Sequence, residues 1–246
     1  MPAVIYVVGI GPGGADTITP QAMDAMRSCD VIAGYTRYVD LVRELVPGKT
    51  IFTSGMTHEL ERCERALGFA REGLSVALIS SGDAGVYGMA GLMLEVAEGA
   101  GVDVRIIPGI TAANSCAAVL GAPLMNDYAA ISLSDLLTDW SVIERRLEAA
   151  CMGDFVICLY NPASRNRPDN LKRACNIILN HRAPHTPAGY VRNVGREGET
   201  HKVMTLGELR DCREIDMLCT VIVGNSQSYI LDGKIITRRG YREHGR

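Results

Sequence analysis

The chain has 246 residues and a formal net charge of −3, with 47% hydrophobic, 22% charged and 5% aromatic residues. This length allows one large domain or two smaller lobes with real cores, and the composition is that of a soluble α/β protein. The acidic balance provides no overall positive field for nucleic acid or an anionic membrane. No apolar run is long enough for a membrane span and the first residues lack the pattern of a signal peptide, so we expect a cytoplasmic protein.

Strands and helices alternate over the first half of the chain. Short β-branched runs predict strands at residues 4–8, 30–33, 49–52, 75–80 and 102–107. Between the third and fourth strands, a helical pattern ends at Gly73. Its apolar stripe consists of Leu60, Cys63, Leu67 and Ala70. The repeated strand–helix unit predicts a mainly parallel sheet with helices on both faces.

A second lobe is predicted at residues 122–246, after a first lobe at residues 1–121. The boundary is placed at "APLMND", a Pro-containing break that follows a helix ending at Gly121. Thr138 is the predicted N-cap of a helix in this lobe. Asp232-Gly233 between two apolar runs predicts a tight hairpin, and hence a mixed sheet. The other predicted strands lie at residues 129–133, 154–160, 188–193 and 219–225.

The cysteines and histidines form no pattern typical of a metal site or a disulfide framework. The eight cysteines include no C-x-x-C pair, and several lie in apolar segments. Pro184 separates His181 from His185, so these two histidines do not share a helix face. We therefore expect buried, reduced thiols and no bound metal.

Near the start, "VVGIGPGG" at residues 7–14 matches a dinucleotide-binding pattern. Gly9, Gly11 and Gly14 have the G-x-G-x-x-G spacing. In dinucleotide-binding folds this loop passes directly into a helix, and the second strand ends in an acidic residue that binds the ribose. A nicotinamide-dependent oxidoreductase is therefore one hypothesis to test on the neighbouring residues.

Those neighbours disfavour a dinucleotide site. The first helix-start signal is Thr19-Pro20, so a long loop intervenes where the helix is required. Gly34 follows the second predicted strand, without an acidic residue at its end. Pro12 also removes one of the amide donors that a phosphate would use. The oxidoreductase remains only the alternative from a different functional class.

Two further glycine-rich stretches follow predicted strands. "ISSGDAGVYG" at residues 79–88 has Asp83 at its centre, and "IIPGITAAN" at residues 106–114 places Thr111 at a helix start. Ligands of open α/β sheets bind beyond the carboxyl ends of the strands, so three such turns outline one crevice. The structural alternatives are a simple tight turn for the first stretch and a turn or capping role for Asp83.

Together, "GIGPGG", "SSGDAGVYG" and "PGITAANS" resemble motifs of the tetrapyrrole methylases, a family of S-adenosylmethionine-dependent methyltransferases. The resemblance covers nearly the whole chain. It extends to "GYTRYVDL", "SGMTHELERC", "ISLSDLLTDW", "LYNPASRNRP" and "VRNVGREGE", which are similar to members that act in cobalamin biosynthesis. It implies a two-lobed α/β homodimer that holds S-adenosylmethionine in the cleft between its lobes and a tetrapyrrole in a trough beside it.

The resemblance also implies three sets of site residues, each with a structural alternative. Glu59 begins a helix, Asp135 fits a turn, and a lone surface arginine is more often solvated than bound to a ligand. The cofactor set is Pro12, Ser81, Gly82, Asp83, Val86, Thr111, Ala112, Tyr160, Asn161, Asn193 and Thr220. The substrate set is Gly9, Gly11, Gly13, Arg165, Arg167 and Arg192. The candidates for proton transfer are Tyr35, Arg37, His58, Glu59, Ser132, Ser134 and Asp135.

The activity that the resemblance implies is methylation of C-17 of precorrin-3B, or of its cobalt-bearing counterpart, with coupled ring contraction. A sulfonium methyl group is already activated, so its transfer requires alignment rather than a nucleophilic Ser or Cys. The contraction requires proton transfer at a substrate hydroxyl. The alternatives are methylation of another corrin carbon or of diphthamide, and a non-catalytic tetrapyrrole carrier.

Overall fold

The chain divides into two compact units, Met1–Ala112 and Ala113–Arg246. The computed structural model describes residues 3–241. The division falls at residue 112, earlier than the boundary expected after residue 121, because the buried face of helix α5 (Ala112–Leu120) packs against strands of the second unit. That face consists of Ala113, Cys116, Ala117 and Leu120. The functional assignment of the two lobes stays a prediction.

The first unit is a five-stranded parallel sheet in the order β3-β2-β4-β1-β5. Its strands are β1 (Val4–Gly9), β2 (Val31–Tyr35), β3 (Thr50–Ser54), β4 (Val76–Ser80) and β5 (Asp103–Ile107). Its helices are α1 (Pro20–Ser28), α2 (Thr36–Val42), α3 (Glu59–Arg71) and α4 (Ala90–Val96), with short 3-10 turns at Ala15–Thr17 and Arg43–Leu45. Each strand begins within one residue of its predicted start, and the predicted parallel sheet is confirmed.

Helices cover both faces of this sheet. Ile5 and Val7 of β1 pack in the same core cluster as the buried residues of α3 and α4. Val8, also in β1, belongs to a second cluster with α1 and α2. Strands that are buried on both faces have nearly continuous apolar sequences, as "VIYVV" does. The predicted two-sided helical cover is therefore confirmed.

Helix α1 begins at the predicted signal. The Thr19 hydroxyl accepts a hydrogen bond from the Ala22 N–H at 3.1 Å, and Pro20 occupies the first helical position. The 3-10 turn at Ala15–Thr17 lies between the glycine loop and this helix. The glycine loop therefore does not lead directly into an α-helix. In this it differs from a dinucleotide-binding loop.

The buried face of α3 differs from the predicted stripe. Cys63, Leu67 and Ala70 are buried as expected, but Leu60 is 54% exposed. The helix begins at Glu59 and buries Arg62 beside Cys63, so the face that meets the sheet is turned away from Leu60. The prediction for Leu60 was wrong because periodicity alone did not anticipate a buried arginine on this face.

The second unit contains two mixed sheets. Its strands are β6 (Gly121–Ala122), β7 (Tyr128–Ser132), β8 (Val156–Tyr160), β9 (Pro187–Arg192), β10 (Thr200–Thr205), β11 (Cys219–Val223), β12 (Ser228–Leu231) and β13 (Lys234–Thr237). Its helices are α6 (Trp140–Met152), α7 (Asn170–Leu179) and α8 (Leu206–Arg210). The larger sheet has the order β10-β9-β11-β8-β7, with β7 and β8 parallel and the other pairs antiparallel. The smaller sheet has the order β12-β13-β6, and the predicted mixed sheet is confirmed.

In this unit the sequence correctly predicted a hairpin but placed a helix N-cap one residue too early. Asp232 and Gly233 have φ of +49° and +73° and join antiparallel β12 and β13, so the predicted hairpin is confirmed. The N-cap of α6 is Asp139 rather than Thr138. The Asp139 carboxylate accepts from the Ser141 N–H at 2.8 Å, and a charged acceptor at a helix N-terminus also interacts favourably with the helix dipole.

Seven of the eight free cysteines are buried and Cys212 is partly buried, as the apolar sequence context predicted. Burial raises the pKa of the Cys116 and Cys158 thiols to about 12, which keeps them protonated at neutral pH. Among the helices that the structure describes, none is both long and apolar enough to cross a membrane.

Candidate functional site

The three glycine-bearing turns lie side by side at one edge of the first sheet. They follow β4, β1 and β5, which are neighbours in the parallel sheet, so their carboxyl ends meet at the same edge. The N–H of Gly11 donates to the Gly82 carbonyl at 3.0 Å, and the Gly82 N–H donates to the Gly11 carbonyl at 2.7 Å. The predicted juxtaposition of the turns is thus confirmed.

Three glycines of these turns pack backbone against backbone. A β-carbon on Gly109 would lie 2.6 Å from the carbonyl oxygen of Gly9, and it would also clash with the carbonyl oxygen of Gly82. A β-carbon on Gly9 would lie 2.7 Å from the amide nitrogen of Gly109. Side chains at these positions would force the three turns apart. Glycine is therefore required here for packing within the chain.

Gly11 has a different reason to be glycine. Its φ is +74°, a conformation that side chains rarely adopt, and a β-carbon would lie 2.7 Å from the Thr17 carbonyl oxygen. Both Gly9 and Gly11 are buried, whereas Gly13 is half-buried. The structure gives Gly9 and Gly11 a packing role, and contact of Gly9, Gly11 and Gly13 with a substrate stays a prediction.

Asp83 joins the second turn to the third. Its Oδ1 accepts from the Gly85 N–H at 2.8 Å, and its Oδ2 accepts from the Gly109 N–H at 2.9 Å. Both carboxylate oxygens thus accept hydrogen bonds from backbone N–H groups of the chain. This agrees with the alternative that Asp83 is a turn residue. Hydrogen bonds to a carboxylate are stronger than those between neutral groups, so Asp83 fixes the relative position of the two turns.

The remaining cofactor candidates of the first unit lie in or next to the same three turns, which Asp83 helps to hold together. A β-carbon on Gly82 would lie 3.7 Å from the Ala112 nitrogen, which places the second turn against the start of α5. Thr111 directly precedes α5, as the predicted helix start required. Val86 and the rest of residues 85–88 are exposed. Of the other two candidates, Ser81 is half-buried and Pro12 is buried.

Tyr35 and Arg37 lie at the same edge of the sheet, at the carboxyl end of β2. Tyr35 is the last residue of the strand, and its ring packs edge-on against Tyr38 with centroids 5.1 Å apart. Arg37 is exposed in α2. Among the residues the structure describes, no ion pair joins Arg37 to an acidic side chain.

His58 and Glu59 follow β3 at this edge. His58 Nδ1 lies 2.7 Å from Glu61 Oε2, and both side chains are exposed. Glu59 is the first residue of α3, and its carboxylate accepts from the Thr57 N–H at 3.3 Å. This bond agrees with the alternative that Glu59 has a structural role at the start of a helix. Glu61, the partner of His58, was missed at the sequence level.

A polar network joins five candidates in the second unit. Ser132, the last residue of β7, accepts at its Oγ from Asn161 Nδ2 at 2.9 Å and from the Ser134 N–H at 3.2 Å. Arg167 donates to the Ser134 hydroxyl and lies 3.8 Å from the Asp135 carboxylate. Residues predicted separately for proton transfer, cofactor binding and substrate binding are thus brought together by side-chain contacts.

The predicted substrate arginines of this unit differ in how they are partnered. Arg192 donates from Nε to Asp216 Oδ2 at 3.0 Å, and Arg167 contacts Asp135 as described above. Arg165 is exposed, and within residues 3–241 no ion pair joins it to an acidic side chain. Of the three, Arg165 is therefore the one whose guanidinium is not already paired with a carboxylate of the chain.

The other three cofactor candidates of the second unit are engaged within the fold. The Tyr160 hydroxyl accepts from the Ala113 N–H at 2.9 Å, in the first turn of α5. Thr220 is 7% exposed, so little of its surface is open to a ligand. Asn193 has φ of +53°, and its N–H donates to the Leu218 carbonyl at 3.0 Å.

Replacing Tyr160 with Phe is expected to lower the free energy of unfolding by about 1–3 kcal/mol, because the buried N–H of Ala113 would lose its acceptor. Thermal unfolding measures the change, and Tyr128→Phe is the matched control because the Tyr128 ring is exposed. Equal melting temperatures for the two variants would mean that α5 does not need this hydrogen bond at its start.

Residues 4–210 match the model of the Tetrapyrrole (Corrin/Porphyrin) Methylases. The chain belongs to this family. The family resemblance drawn from the glycine-rich turns is thereby confirmed, and it replaces the oxidoreductase hypothesis.

Two curated relatives match nearly all of this methylase. It is 47% identical over 240 residues to a probable cobalt-factor III C(17)-methyltransferase of Salmonella typhimurium, covering 97% of this chain and 99% of the relative. It is 45% identical over 248 residues to a cobalt-factor III methyltransferase of Priestia megaterium, covering 98% of this chain. This methylase spans 46% of the Priestia protein, which is thus about twice as long.

Solved structures share the fold of this methylase. The crystal structure of the methyltransferase CobJ superposes with a TM-score of 0.88 at 35% identity, over 96% of this chain and 100% of CobJ. Uroporphyrin-III C-methyltransferase of Thermus thermophilus, solved with S-adenosylhomocysteine, superposes with a TM-score of 0.69 at 21% identity. That alignment covers 90% of this chain and 92% of the other, and it supports likeness in fold.

Two residues of the first unit were missed in the sequence of this methylase. Gly109 lies in the third turn, but its need for glycine depends on contact with Gly9 and Gly82, which are distant in the chain. Arg62 lies on a helix whose other buried residues are small or apolar, and its charge suggested exposure. The only local signal for Arg62 was its position next to Cys63 on the predicted stripe.

Proposed function

We propose that this methylase transfers the methyl group of S-adenosylmethionine to C-17 of cobalt-factor III, or of precorrin-3B, with coupled contraction of the ring. The observation that carries the proposal is the 47% identity to the Salmonella relative over essentially the full length of both chains. The names of the relatives favour the cobalt-bearing substrate. The step belongs to cobalamin biosynthesis, and we propose a cytoplasmic homodimer.

The proposed cofactor-binding residues of the first unit lie in its three turns, namely Pro12, Ser81, Gly82, Asp83, Val86, Thr111 and Ala112. When bound, S-adenosylmethionine supplies a methyl group activated by a sulfonium sulfur. The residues fit such a ligand in two ways. Residues 85–88 of the second turn are exposed, so a ligand can reach this turn. The third turn leads into the amino end of the nine-residue helix α5, where a helix dipole favours a carboxylate such as that of the methionine moiety.

The chain's own part in methyl transfer is alignment. The glycine packing and the Asp83 clamp hold the turns rigidly, which suits a reaction that depends on the relative position of two carbon atoms and a sulfur. The coupled ring contraction also requires proton transfer. Ser132 Oγ accepts two hydrogen bonds, which leaves its hydroxyl proton to be donated, and we place Ser132 first among the proton-transfer candidates of the second unit.

Incubation of the purified protein with methyl-labelled S-adenosylmethionine and cobalt-factor III is expected to yield a labelled, ring-contracted product, detected by mass spectrometry. A parallel reaction with precorrin-3B compares the two forms of the macrocycle. A labelled product without contraction would contradict the C-17 assignment. Tetrapyrrole binding with no affinity for S-adenosylhomocysteine would indicate a carrier, and calorimetric binding of NAD(P)H in its place would indicate an oxidoreductase.

A further inference from the structure

Arg62 of α3 is a buried cation whose hydrogen-bond partners are all neutral. It is 3% exposed. Its Nε donates to Ser54 Oγ at 3.0 Å, its Nη2 donates to the Gly55 carbonyl at 2.8 Å, and its Nη1 lies 3.6 Å from the Met89 sulfur. In the described part of the chain, no carboxylate is within ion-pair distance of Arg62.

Such an arrangement costs desolvation free energy that a neutral side chain would avoid. Burial accordingly lowers the pKa of the Arg62 guanidinium. A core position of this kind is ordinarily apolar. An arginine here therefore needs a reason, and we look for it in the contacts that its guanidinium makes. A planar fork with several donors can hold separate acceptors in fixed positions, which neither lysine nor an apolar residue can do.

The groups that Arg62 contacts belong to two loops at the carboxyl edge of the first sheet. Ser54 and Gly55 lead from β3 into the exposed loop of residues 55–58, which ends in His58. Met89 directly follows the second glycine-rich turn. Arg62 therefore ties the loop after β3 to the turn after β4, across the intervening strand β2.

The two loops depend on Arg62 to different degrees. The second turn has anchors of its own, since Gly82 pairs with Gly11, Asp83 accepts from Gly109, and the Met89 N–H donates to Ser80 Oγ at 3.2 Å. The loop of residues 55–58 is exposed throughout, and its own side-chain bonds join Thr57 to Glu59 and His58 to Glu61. Those bonds reach the adjoining start of α3, whereas Arg62 joins the loop to the turn after β4. Loss of Arg62 should therefore displace this loop more than it displaces the turn.

We propose that Arg62 is a positioning residue for tetrapyrrole turnover, which holds the loop of residues 55–58, and with it His58, in place beside the second glycine-rich turn. The inference rests on the proposed function. It assigns no contact between Arg62 and substrate, because the side chain is buried. It adds a requirement for turnover that is separate from cofactor binding.

The test compares Arg62→Met with wild type in the whole 246-residue chain. We expect kcat for methylated, ring-contracted product to fall about tenfold, while the Kd for S-adenosylhomocysteine changes less than about twofold. Arg62→Lys is expected to recover part of kcat, because an ammonium group still donates to one of the acceptors. A loss of cofactor affinity that matches the loss of kcat would overturn the proposal.

Arg182→Met is the matched control for the general cost of removing a buried arginine. Arg182 is also buried, and it donates to the carbonyls of Phe155 and Gly224 beyond the amino end of β8. We expect this variant to lower the melting temperature and to leave kcat of the folded protein unchanged. Equal effects of Arg62→Met and Arg182→Met on kcat would reduce Arg62 to a stability role and overturn the proposal.

If Arg62→Met does not fold, Ser54→Ala tests the same contact, because it removes only the acceptor of Nε. The expected fall in kcat is then about threefold, with unchanged cofactor affinity, and wild-type kinetics would contradict the proposal. The wild-type assay separates this inference from the proposed function. An inactive wild type overturns both, whereas an active wild type with unaffected Arg62 and Ser54 variants overturns the inference alone.

Discussion

Gly109→Ala is expected to destabilise the protein by more than about 3 kcal/mol, a large share of the roughly 5–15 kcal/mol by which a typical domain is stable. The added methyl group would lie 2.6 Å from the Gly9 carbonyl oxygen and would also meet that of Gly82. Both neighbours are backbone atoms at the ends of paired strands, so no change of rotamer makes room. Circular dichroism during urea denaturation measures the loss.

Gly68→Ala is the matched control for this substitution. Gly68 lies within α3, and a β-carbon there would meet no atom within 4 Å. Alanine favours a helix over glycine, so this variant is expected to be more stable than wild type by roughly 0.5–1 kcal/mol. A wild-type denaturation midpoint for Gly109→Ala would show that the turns separate at little cost, and it would remove the packing explanation of the glycines.

Asp83→Ala is expected to weaken S-adenosylhomocysteine binding by at least about tenfold and to lower the free energy of unfolding by about 1.5–3 kcal/mol. The substitution leaves the N–H groups of Gly85 and Gly109 without their acceptor, and the second turn loses its link to the third. Titration calorimetry and thermal unfolding measure the two effects separately.

Asp83→Asn and Asp103→Ala complete this experiment. The amide oxygen of Asn retains one acceptor, so we expect Asp83→Asn to be intermediate in both measurements. Asp103 forms an exposed ion pair with Arg105, and its loss should change stability by less than about 1 kcal/mol. Wild-type cofactor affinity in a destabilised Asp83→Ala would confine Asp83 to the turn and remove it from the cofactor-binding residues.

The elements of the first unit were predictable because they depend on neighbours along the chain. Apolar β-branched runs marked the strands of the parallel sheet, and Thr19-Pro20 marked the start of α1 through a cap and a fixed φ. Asp232-Gly233 marked a hairpin because its residues tolerate positive φ. The strand β10 was missed because its exposed edge carries a mixed polar sequence, and its pairing with β9 decides its conformation.

The candidate site was predictable as a place and less so as a set of contacts. Glycine-rich turns after adjacent strands predicted that the turns meet at one edge of the sheet, and they do meet there, while ligand binding at this edge stays a prediction. The hydrogen bonds from Gly109 to Asp83, from Asn161 to Ser132 and from Arg167 to Ser134 join residues that are 26, 29 and 33 positions apart in the chain. No local pattern specifies such pairs, because they depend on how the strands are ordered in each sheet.

By itself, the sequence determined the family, the alternation of strands and helices, and the three turns that carry the motifs. Only the tertiary structure decided why "VVGIGPGG" contains its glycines. Gly9 leaves room for Gly109 and Gly82, and Gly11 adopts a positive φ beside Thr17. It also decided that Arg62 is buried and that Asp83 clamps two turns. Periodicity and propensity describe a residue among its chain neighbours, whereas close backbone contacts and buried charges depend on segments that meet only in the folded chain.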